Sequence, residues 1–266
     1  MDTDKDTTTA TRKNSLVDLH CHILPGIDDG SKSLADSLTL ARAAVSEGIG
    51  YIVATPHHLD RHFINHAADV RQAVQDFQAS LDQAQIPLTV FPGQEVHLNG
   101  DLAKRLPDLI GLDANMNYLL VEFTHEEVPQ YAEELFFELS CQNITPIIAH
   151  PERNARIIKE PSILYEFINK GALAQLTATS LVGGFGRKTK KFSEELVSHG
   201  LVQMIASDAH MLAGRKFALR EAYFALDDLD RSYGPIFYQN SRHIINGESF
   251  THSILAEPIE KRHFFK

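Results

Sequence analysis

Short apolar runs alternate with longer stretches of helical spacing from residue 16 to residue 206, and the runs tend to end in groups that carry charge or bind metal. Residues 16–22 (LVDLHCH) read as a strand, on which period-two geometry puts His20 and His22 on one face and Leu19 and Cys21 on the other. The turn Pro25-Gly26-Ile27-Asp28-Asp29-Gly30 follows. Ser33 then stands as the N-cap of a helix through Leu38, Leu40, Ala41, Ala44 and Val45, which Gly48 stops. Residues 51–54 predict a second buried strand ending in Thr55-Pro56-His57-His58. Val70, Ala73, Val74, Phe77 and Leu81 give residues 69–83 a helical face, and residues 88–91 predict a third strand running into Gly93-Gln94-Glu95. A fourth strand, 118–122, ends in Glu122, and a helix over 129–141, with Pro129 in its first turn, buries Leu135, Phe136 and Leu139. The fifth strand, 146–150, ends in His150. Helix 163–170 leads to a sixth, 172–176, whose end, Thr177-Ala178-Thr179-Ser180, shows no obvious ligand. Helix 188–198 feeds a seventh, 202–206, ending in Ser207-Asp208-Ala209-His210.

Strands alternating with helices imply right-handed crossovers and a parallel sheet, and in a closed parallel barrel every loop after a strand opens on the same face. The expected fold is therefore α/β, with the His, Asp and Glu residues of six strand ends meeting at one mouth. One such residue is unremarkable, since a carboxylate after a strand caps helices and a terminal histidine often faces solvent. Their recurrence at one structural position points to a functional cluster.

Composition narrows the possibilities. The chain has 25 Lys and Arg against 35 Asp and Glu, a net charge of −10, and no basic stretch long or dense enough to track a phosphate backbone, so nucleic acid is not an expected partner. Two cysteines, Cys21 and Cys141, are too few for a disulfide framework, and both are expected in the core. No apolar run approaches the roughly 18 residues of a membrane span, which makes the cytoplasm the expected compartment and excludes direct membrane insertion. Residues 1–14 are polar and Thr-rich and predict a flexible leader; residues 15–266 show no linker or repeat and predict a single domain. Neither cysteine has an arginine six positions later, so the phosphate loop of cysteine-dependent phosphatases is missing. Gly183-Gly184-Phe185-Gly186 lacks the Lys-Ser/Thr ending of a nucleotide loop and reads as a flexible rim.

The ordered set Asp18-Leu-His20-Cys-His22 through Asp28-Asp29-Gly30, Thr55-Pro-His57, Gly93-Gln-Glu95, Val121-Glu122-Phe123, Ala149-His150-Pro-Glu-Arg153 and Ser207-Asp208-Ala-His210 resembles the polymerase and histidinol phosphatase (PHP) superfamily. Within it, the chain is most similar to bacterial tyrosine-protein phosphatases of capsule and exopolysaccharide gene clusters, the CpsB/YwqE type, over residues 16 to about 247. The resemblance implies a distorted seven-stranded TIM-like (β/α) barrel with three divalent metal ions, manganese in this group, with iron or zinc as alternatives. It places one ion on His20, His22, Glu95 and Asp208, a second on Glu95, Glu122 and His150, and a third on Asp29, His57 and His210. Four ligand carboxylates against three divalent ions leave a pocket of about +2, a local sink for a phosphate dianion in an acidic protein.

The same resemblance marks Arg153 and Arg215 as phosphate contacts, with an ion pair to Glu152 or Glu160 as the structural alternative for Arg153. It implies water activated by metal for direct attack on phosphorus, Asp208 and His210 close to the reacting atoms, and a phosphotyrosine-bearing bacterial tyrosine kinase as partner. His210 is a candidate to help protonate the leaving phenolate. Of the remaining histidines, His58, His62, His66, His97 and His125 are expected at the surface or in loops, His125 at the substrate entrance. Three rivals stay open: a histidinol phosphatase with the same metal core, an amidohydrolase, whose bridging lysine would stand where Glu122 does, and a catalytically silent metal-binding protein. Oligomeric state is not legible in the chain.

Overall fold

Parallel strands packed on both faces are rich in apolar residues, and in this protein Ile52, Val53, Leu119, Leu120, Ile147 and Ile148 are buried on strands whose polar side chains gather near the ends. In the computed structural model, which describes residues 15–211, 214–215, 217–250 and 253–260, all strand pairs are parallel. The leader expected at residues 1–14 lies outside the described residues. In chain order the elements are β1 (Leu16–Cys21), α1 (Leu34–Ser46), β2 (Ile49–Ala54), β3 (His57–His58), α2 (Ala67–Gln83), β4 (Thr89–Pro92), β5 (Glu95–His97), β6 (Tyr118–Glu122), α3 (Ala132–Cys141) and β7 (Thr145–Ala149). Then come α4 (Ala155–Lys159), α5 (Ser162–Asn169), β8 (Leu173–Thr177), α6 (Ala178–Leu181), α7 (Arg187–Ser198), β9 (Met204–Ala206), α8 (Leu219–Leu229) and α9 (Tyr233–Ile245).

Among the described residues nine strands stand where seven are expected, in two sheets ordered β1-β2-β4 and β3-β5-β6-β7-β8-β9. The difference is a cut in two adjacent courses of the chain. Thr55-Pro56 separates β2 from β3, and Gly93-Gln94 separates β4 from β5. Pro56 has no N–H to give a ladder. Gly93 sits where an added Cβ would come within 2.5 Å of Val53 Cγ1, so only glycine lets the chain turn there. Gly93 N–H donates to Ala54 O (2.9 Å) and Glu95 N–H to Pro56 O (3.1 Å), so the cut groups remain bonded. At the far edges, β1 and β9 meet through a parallel bridge between Cys21 and Ala209, flanked by Asp208 N–H to His20 O (2.8 Å) and His22 N–H to Ala209 O (3.1 Å).

Inward side chains of six strands, among them Val17, Val53, Leu120, Ile147, Leu173 and Met204, form one small apolar cluster that Ile244 of α9 joins, while a larger cluster fills the space between strands and outer helices. The expected cap holds: Ser33 Oγ accepts Asp36 N–H at 3.2 Å. The helix expected from residue 129 begins only at Ala132, because Pro129 O closes a turn on Ala132 N–H (3.0 Å). The seventh strand opens at Met204, and α8 and α9 have no counterpart among the predicted elements. Cys21 is buried as expected, but Cys141 is exposed at the last position of α3, whose inner face is filled by Leu135, Phe136 and Leu139. No helix among the described residues is long and apolar enough to cross a membrane.

Candidate metal centre

β1 delivers His20 and His22, both buried, to one point, with their Nε2 atoms 3.1 Å apart. The opposite nitrogen of each ring is engaged: His20 Nδ1–H donates to Gln175 Oε1 and His22 Nδ1–H to Asp28 Oδ2, both at 2.8 Å. Gln175 Nε2 donates to Leu176 O at 2.7 Å, which turns its amide oxygen toward His20. With the ring proton held on Nδ1, both Nε2 atoms are left for a cation. The Asp-rich turn is pressed against this pair. Gly30 N–H donates to Asp28 Oδ1 (2.9 Å), and a Cβ on Gly30 would fall 2.1 Å from His22 O, so glycine is required.

The other predicted ligands converge on the same place. Glu95 Oε2 lies 3.2 Å, and Asp208 Oδ1 3.5 Å, from both Nε2 atoms. Glu95 Oε1 is 2.8 Å from His150 Nε2, which is 3.6 Å from Glu122 Oε1. The paired strand cuts put His57 directly opposite Glu95 in register. His57 stands between two groups: Nδ1 faces Glu95 Oε2 (3.0 Å) and Glu122 Oε2 (3.9 Å), and Nε2 faces Asp29 Oδ1 (3.4 Å). His210 Nε2 approaches the same Asp29 oxygen at 3.2 Å, while its Nδ1–H donates to Asp208 O (3.0 Å), so both ring nitrogens are engaged. Three donor sets compact enough for a metal ion result: His22, Asp29, His57 and His210; His20, His22 and Asp208; and His57, Glu95 and Glu122.

The chemistry of this set fits metal ions. Bare imidazole lone pairs 3.1 Å apart repel unless a proton or a metal ion lies among them, and the mixed nitrogen and carboxylate donors suit a transition ion. Two buried atoms in the middle of the cluster, His57 Nδ1 and Glu95 Oε2, make no hydrogen bond although they are 3.0 Å apart. Without an ion the cluster holds protons instead. Burial opposes charge on His57, yet Glu95 and Asp29 push it up to about 12, and Asp28 in the same way lifts His22 to about 9. Burial also works against ionisation of Glu95, but His20 and His57 hold its carboxyl well below the usual range.

Both arginines reach the site, at Asp208. Arg153 Nη1 lies 2.8 Å from Asp208 Oδ2, and Arg215 Nη2 bonds Asp208 Oδ1 and Oδ2 at 2.7 and 2.8 Å. Although Asp208 is buried, the two guanidinium groups and His20 hold it deprotonated far below the ordinary carboxylate value. The alternative pairing of Arg153 with Glu152 or Glu160 does not form: Glu152 accepts Thr177 N–H and the Ser180 hydroxyl, and Arg156 takes Glu160 at 2.8 Å. Arg153 Nε and Arg215 Nε are buried with no acceptor among the described residues. Phe185 lies under Arg153, its ring 5.8 Å from the guanidinium carbon, and Phe63 stacks on His57 at 5.9 Å.

Several residues at the site carry no role in the predicted set. Asp28 orients His22, and its neighbour Asp29 was the expected ligand. Gln175 orients His20 from the one strand that seemed to end without a ligand; a glutamine inside the apolar run Ala172-Leu173-Ala174-Gln175-Leu176 is itself the signal, because a buried amide needs partners. Asp18 accepts Ser207 N–H (2.8 Å) and the Ser207 hydroxyl, tying β1 to the chain beyond β9. His58, expected at the surface, is fully buried, because β3 turns it inward beside Asp108 Oδ2 at 3.9 Å. His97 is half-buried with Nδ1 3.7 Å from Glu122 Oε2, His62, His66 and His125 are exposed, and the His125 ring lies 6.2 Å from that of His150. A cavity of about 1010 Å³ lies away from this cluster, between α3 and α5 beside Phe136, Phe137 and Phe167.

The chain is similar to known proteins along nearly its whole length. It is 41% identical over 254 residues to the tyrosine-protein phosphatase YwqE of Bacillus subtilis, covering 94% of this chain and 99% of that one. It is 34% identical over 254 residues to the CapC protein of Staphylococcus aureus, with the same coverage. A solved structure, from work on YwqE of Bacillus subtilis and CpsB of Streptococcus pneumoniae that describes them as metal-dependent tyrosine phosphatases, matches with a TM-score of 0.89 at 39% identity over 92% of this chain and 100% of that chain. Residues 16–246, which hold every strand and every ligand described above, match the family model for capsular polysaccharide synthesis proteins CpsB/CapC, and the chain belongs to that family.

Proposed function

We propose that this protein is a metal-dependent protein-tyrosine phosphatase that acts in the cytoplasm on the phosphotyrosines of a tyrosine kinase controlling capsule or exopolysaccharide synthesis. The observation that carries the reading is the buried cluster of five histidines and four carboxylates at the strand ends, with two arginines on Asp208. The tyrosine-protein phosphatase activities of YwqE and CpsB point the same way. Three divalent ions, Mn²⁺ in our reading, would be held by His20, His22, Glu95 and Asp208, by Glu95, Glu122 and His150, and by Asp29, His57 and His210; His57 Nδ1 also lies 3.0 Å from Glu95 Oε2. A single domain closed as a seven-course barrel is supported by the bridge between β1 and β9 and by the apolar cluster that six strands share.

When bound, such ions activate water and neutralise phosphoryl oxygens. The protein's own contribution is orientation and charge. Gln175 and Asp28 each hold a ring proton on Nδ1 of His20 and His22, so that Nε2 is the nitrogen aimed at the centre and gives up its proton when a metal ion binds. Arg153 and Arg215 each retain a buried Nε–H without an acceptor, which a phosphate oxygen satisfies as charge develops. Phe185 and Phe63 give the mouth aromatic walls, and phenolate, with a pKa near ~10, leaves more readily than a serine alkoxide.

The test is a substrate panel with the Mn²⁺-loaded protein: phosphotyrosine peptide, phosphoserine peptide and histidinol phosphate, each with and without chelator. We expect phosphotyrosine to give the highest kcat/KM and prolonged chelation to abolish turnover. Histidinol phosphate preferred by about tenfold, or about 1.4 kcal/mol in the transition state, would overturn the substrate assignment, and full activity in excess chelator would overturn the metal assignment.

A further inference from the structure

The rim of the centre carries its charge unevenly. α7 leaves the carboxyl end of β8 and returns toward the start of β9, so its amino end stands on the face where the metal ligands gather. That end begins with Arg187, Lys188, Thr189, Lys190 and Lys191, directly after Phe185 and Gly186. Phe185 packs under Arg153, and Arg153 touches Asp208, so the basic segment starts two residues from a side chain that reaches the centre. Arg187, Lys188 and Lys191 are exposed and form no ion pair among the described residues; Lys190 approaches Glu194 only to 3.9 Å.

This placement does not serve the helix. Cations repel the positive end of the helix dipole, and α7 has no acid in its first turn and no base in its last. Nor do these residues build the core, which Phe192, Leu196 and Val197 meet from the other face. Local rules broken without a structural gain mark functional positions. The loop after β6, two strands away from β8 in the same sheet, exposes Glu126 and Glu127, and the chain as a whole carries −10.

We infer that the exposed face of α7 from Arg187 to Lys191 docks an anionic peptide segment on one side of the phosphotyrosine whose phosphate enters the metal centre. This rests on the phosphatase reading above. An acidic protein repels an acidic peptide everywhere except at such a patch, so the patch raises the encounter rate and orients the peptide across the mouth. Because the patch lies at one position on the mouth, after β8, acid flanking the phosphotyrosine helps on the side that reaches α7 and not on the other. A membrane surface is the weaker occupant, since α7 exposes no apolar residues among its cations to enter a bilayer.

The test uses the Mn²⁺-loaded full chain and three phosphotyrosine peptides, with three acidic residues on the amino side, on the carboxyl side, or on neither. One acidic peptide should exceed the neutral one in kcat/KM by about tenfold at low salt. That gain should largely vanish in about 0.5 M salt, where the screening length is only a few ångströms. It should also vanish in Lys188→Glu/Lys191→Glu and shrink in the milder Lys188→Gln/Lys191→Gln, each read as the ratio to a small aryl phosphate. Equal values for the three peptides, or a gain that survives both double substitutions, would overturn the inference. Turnover of aryl phosphate without any flank preference refutes the docking face alone. If no phosphotyrosine is hydrolysed, the phosphatase reading fails, and fluorescence anisotropy of the labelled peptides still decides the docking face. Capture by vesicles containing anionic lipid, without preference among the peptides, would replace the peptide by a membrane.

Discussion

Replacing Gln175 by leucine removes one amide from the floor of the centre and leaves every proposed ligand in place. The amide does two things: Oε1 accepts from His20 Nδ1 at 2.8 Å, and Nε2 donates to Leu176 O at 2.7 Å. Without it His20 can take the other tautomer, with its proton on the Nε2 that faces Glu95 and His22. Outer partners of this kind are worth about 10–100-fold in metal affinity, which is about 1.4–2.8 kcal/mol. The metal-free protein loses about 1–3 kcal/mol as well, because the site is fully buried and polar partners are left unsatisfied. The assay is calorimetric titration of chelator-stripped protein with Mn²⁺, beside a thermal melt of the same sample. Gln175→Glu keeps an acceptor for His20 and should recover most of the affinity while still lacking the donor to Leu176. A folded Gln175→Leu protein with the wild-type isotherm would refute the claim that this residue holds His20 in its binding tautomer.

Proton release gives a second check. A histidine raised above its unfolded value contributes stability that is complete below about 6.5 and is lost as pH rises through the folded value, about 9 for His22 and about 12 for His57. At pH 8 the metal-free protein therefore still holds both protons, and metal must displace about two of them; identical binding enthalpies in buffers of different ionisation enthalpy would contradict this. Arg215→Ala should lower kcat by about 100-fold with a smaller change in KM, since its unpaired Nε–H acts on developing charge; a change confined to KM would make Arg215 a ground-state contact.

The convergence of the strand-end His, Asp and Glu residues was legible because period two and strand termination are local properties. His20 with His22, Glu95, Glu122, His150, Asp208 and His210 all sit where a short apolar run stops, and a parallel arrangement sends such stops to one side. What was not legible needs partners distant in sequence. Nothing local says that Asp28 turns to His22 while Asp29 turns to His210, or that Arg153 passes over its neighbour Glu152 for Asp208. The strand cuts at Pro56 and Gly93 carry a local signal, a proline and a glycine inside strand-like runs. Their effect, placing His57 opposite Glu95, depends on two courses being cut at the same level. α8 and α9 had a pattern too, with Leu219, Ala222 and Leu226 on one face, but no strand follows them to give the spacing a context.

Asp208 shows how backbone, charge and chemistry meet at one residue. Its φ is 50° and that of His150 is 34°, left-handed values that cost a residue with a side chain about 1–3 kcal/mol each. Such conformations persist only where the surroundings over-determine them. At Asp208 they do: its N–H is held by His20 O, Ser207 beside it is fixed by Asp18, and its carboxylate is held by two arginines. The turn lets the carboxylate leave the strand sideways and face the two Nε2 atoms of β1. Both arginines lie on the oxygens that a metal ion shared with His20 and His22 would also need. Asp208 Oδ1 already accepts Arg215 Nη2 at 2.7 Å, so an ion held by Asp208 would share that carboxylate with the guanidinium groups. Arg153 and Arg215 would then offer N–H groups to a phosphate oxygen beside the centre, so in the proposed enzyme metal affinity and the arginines' hold on substrate would be coupled through Asp208.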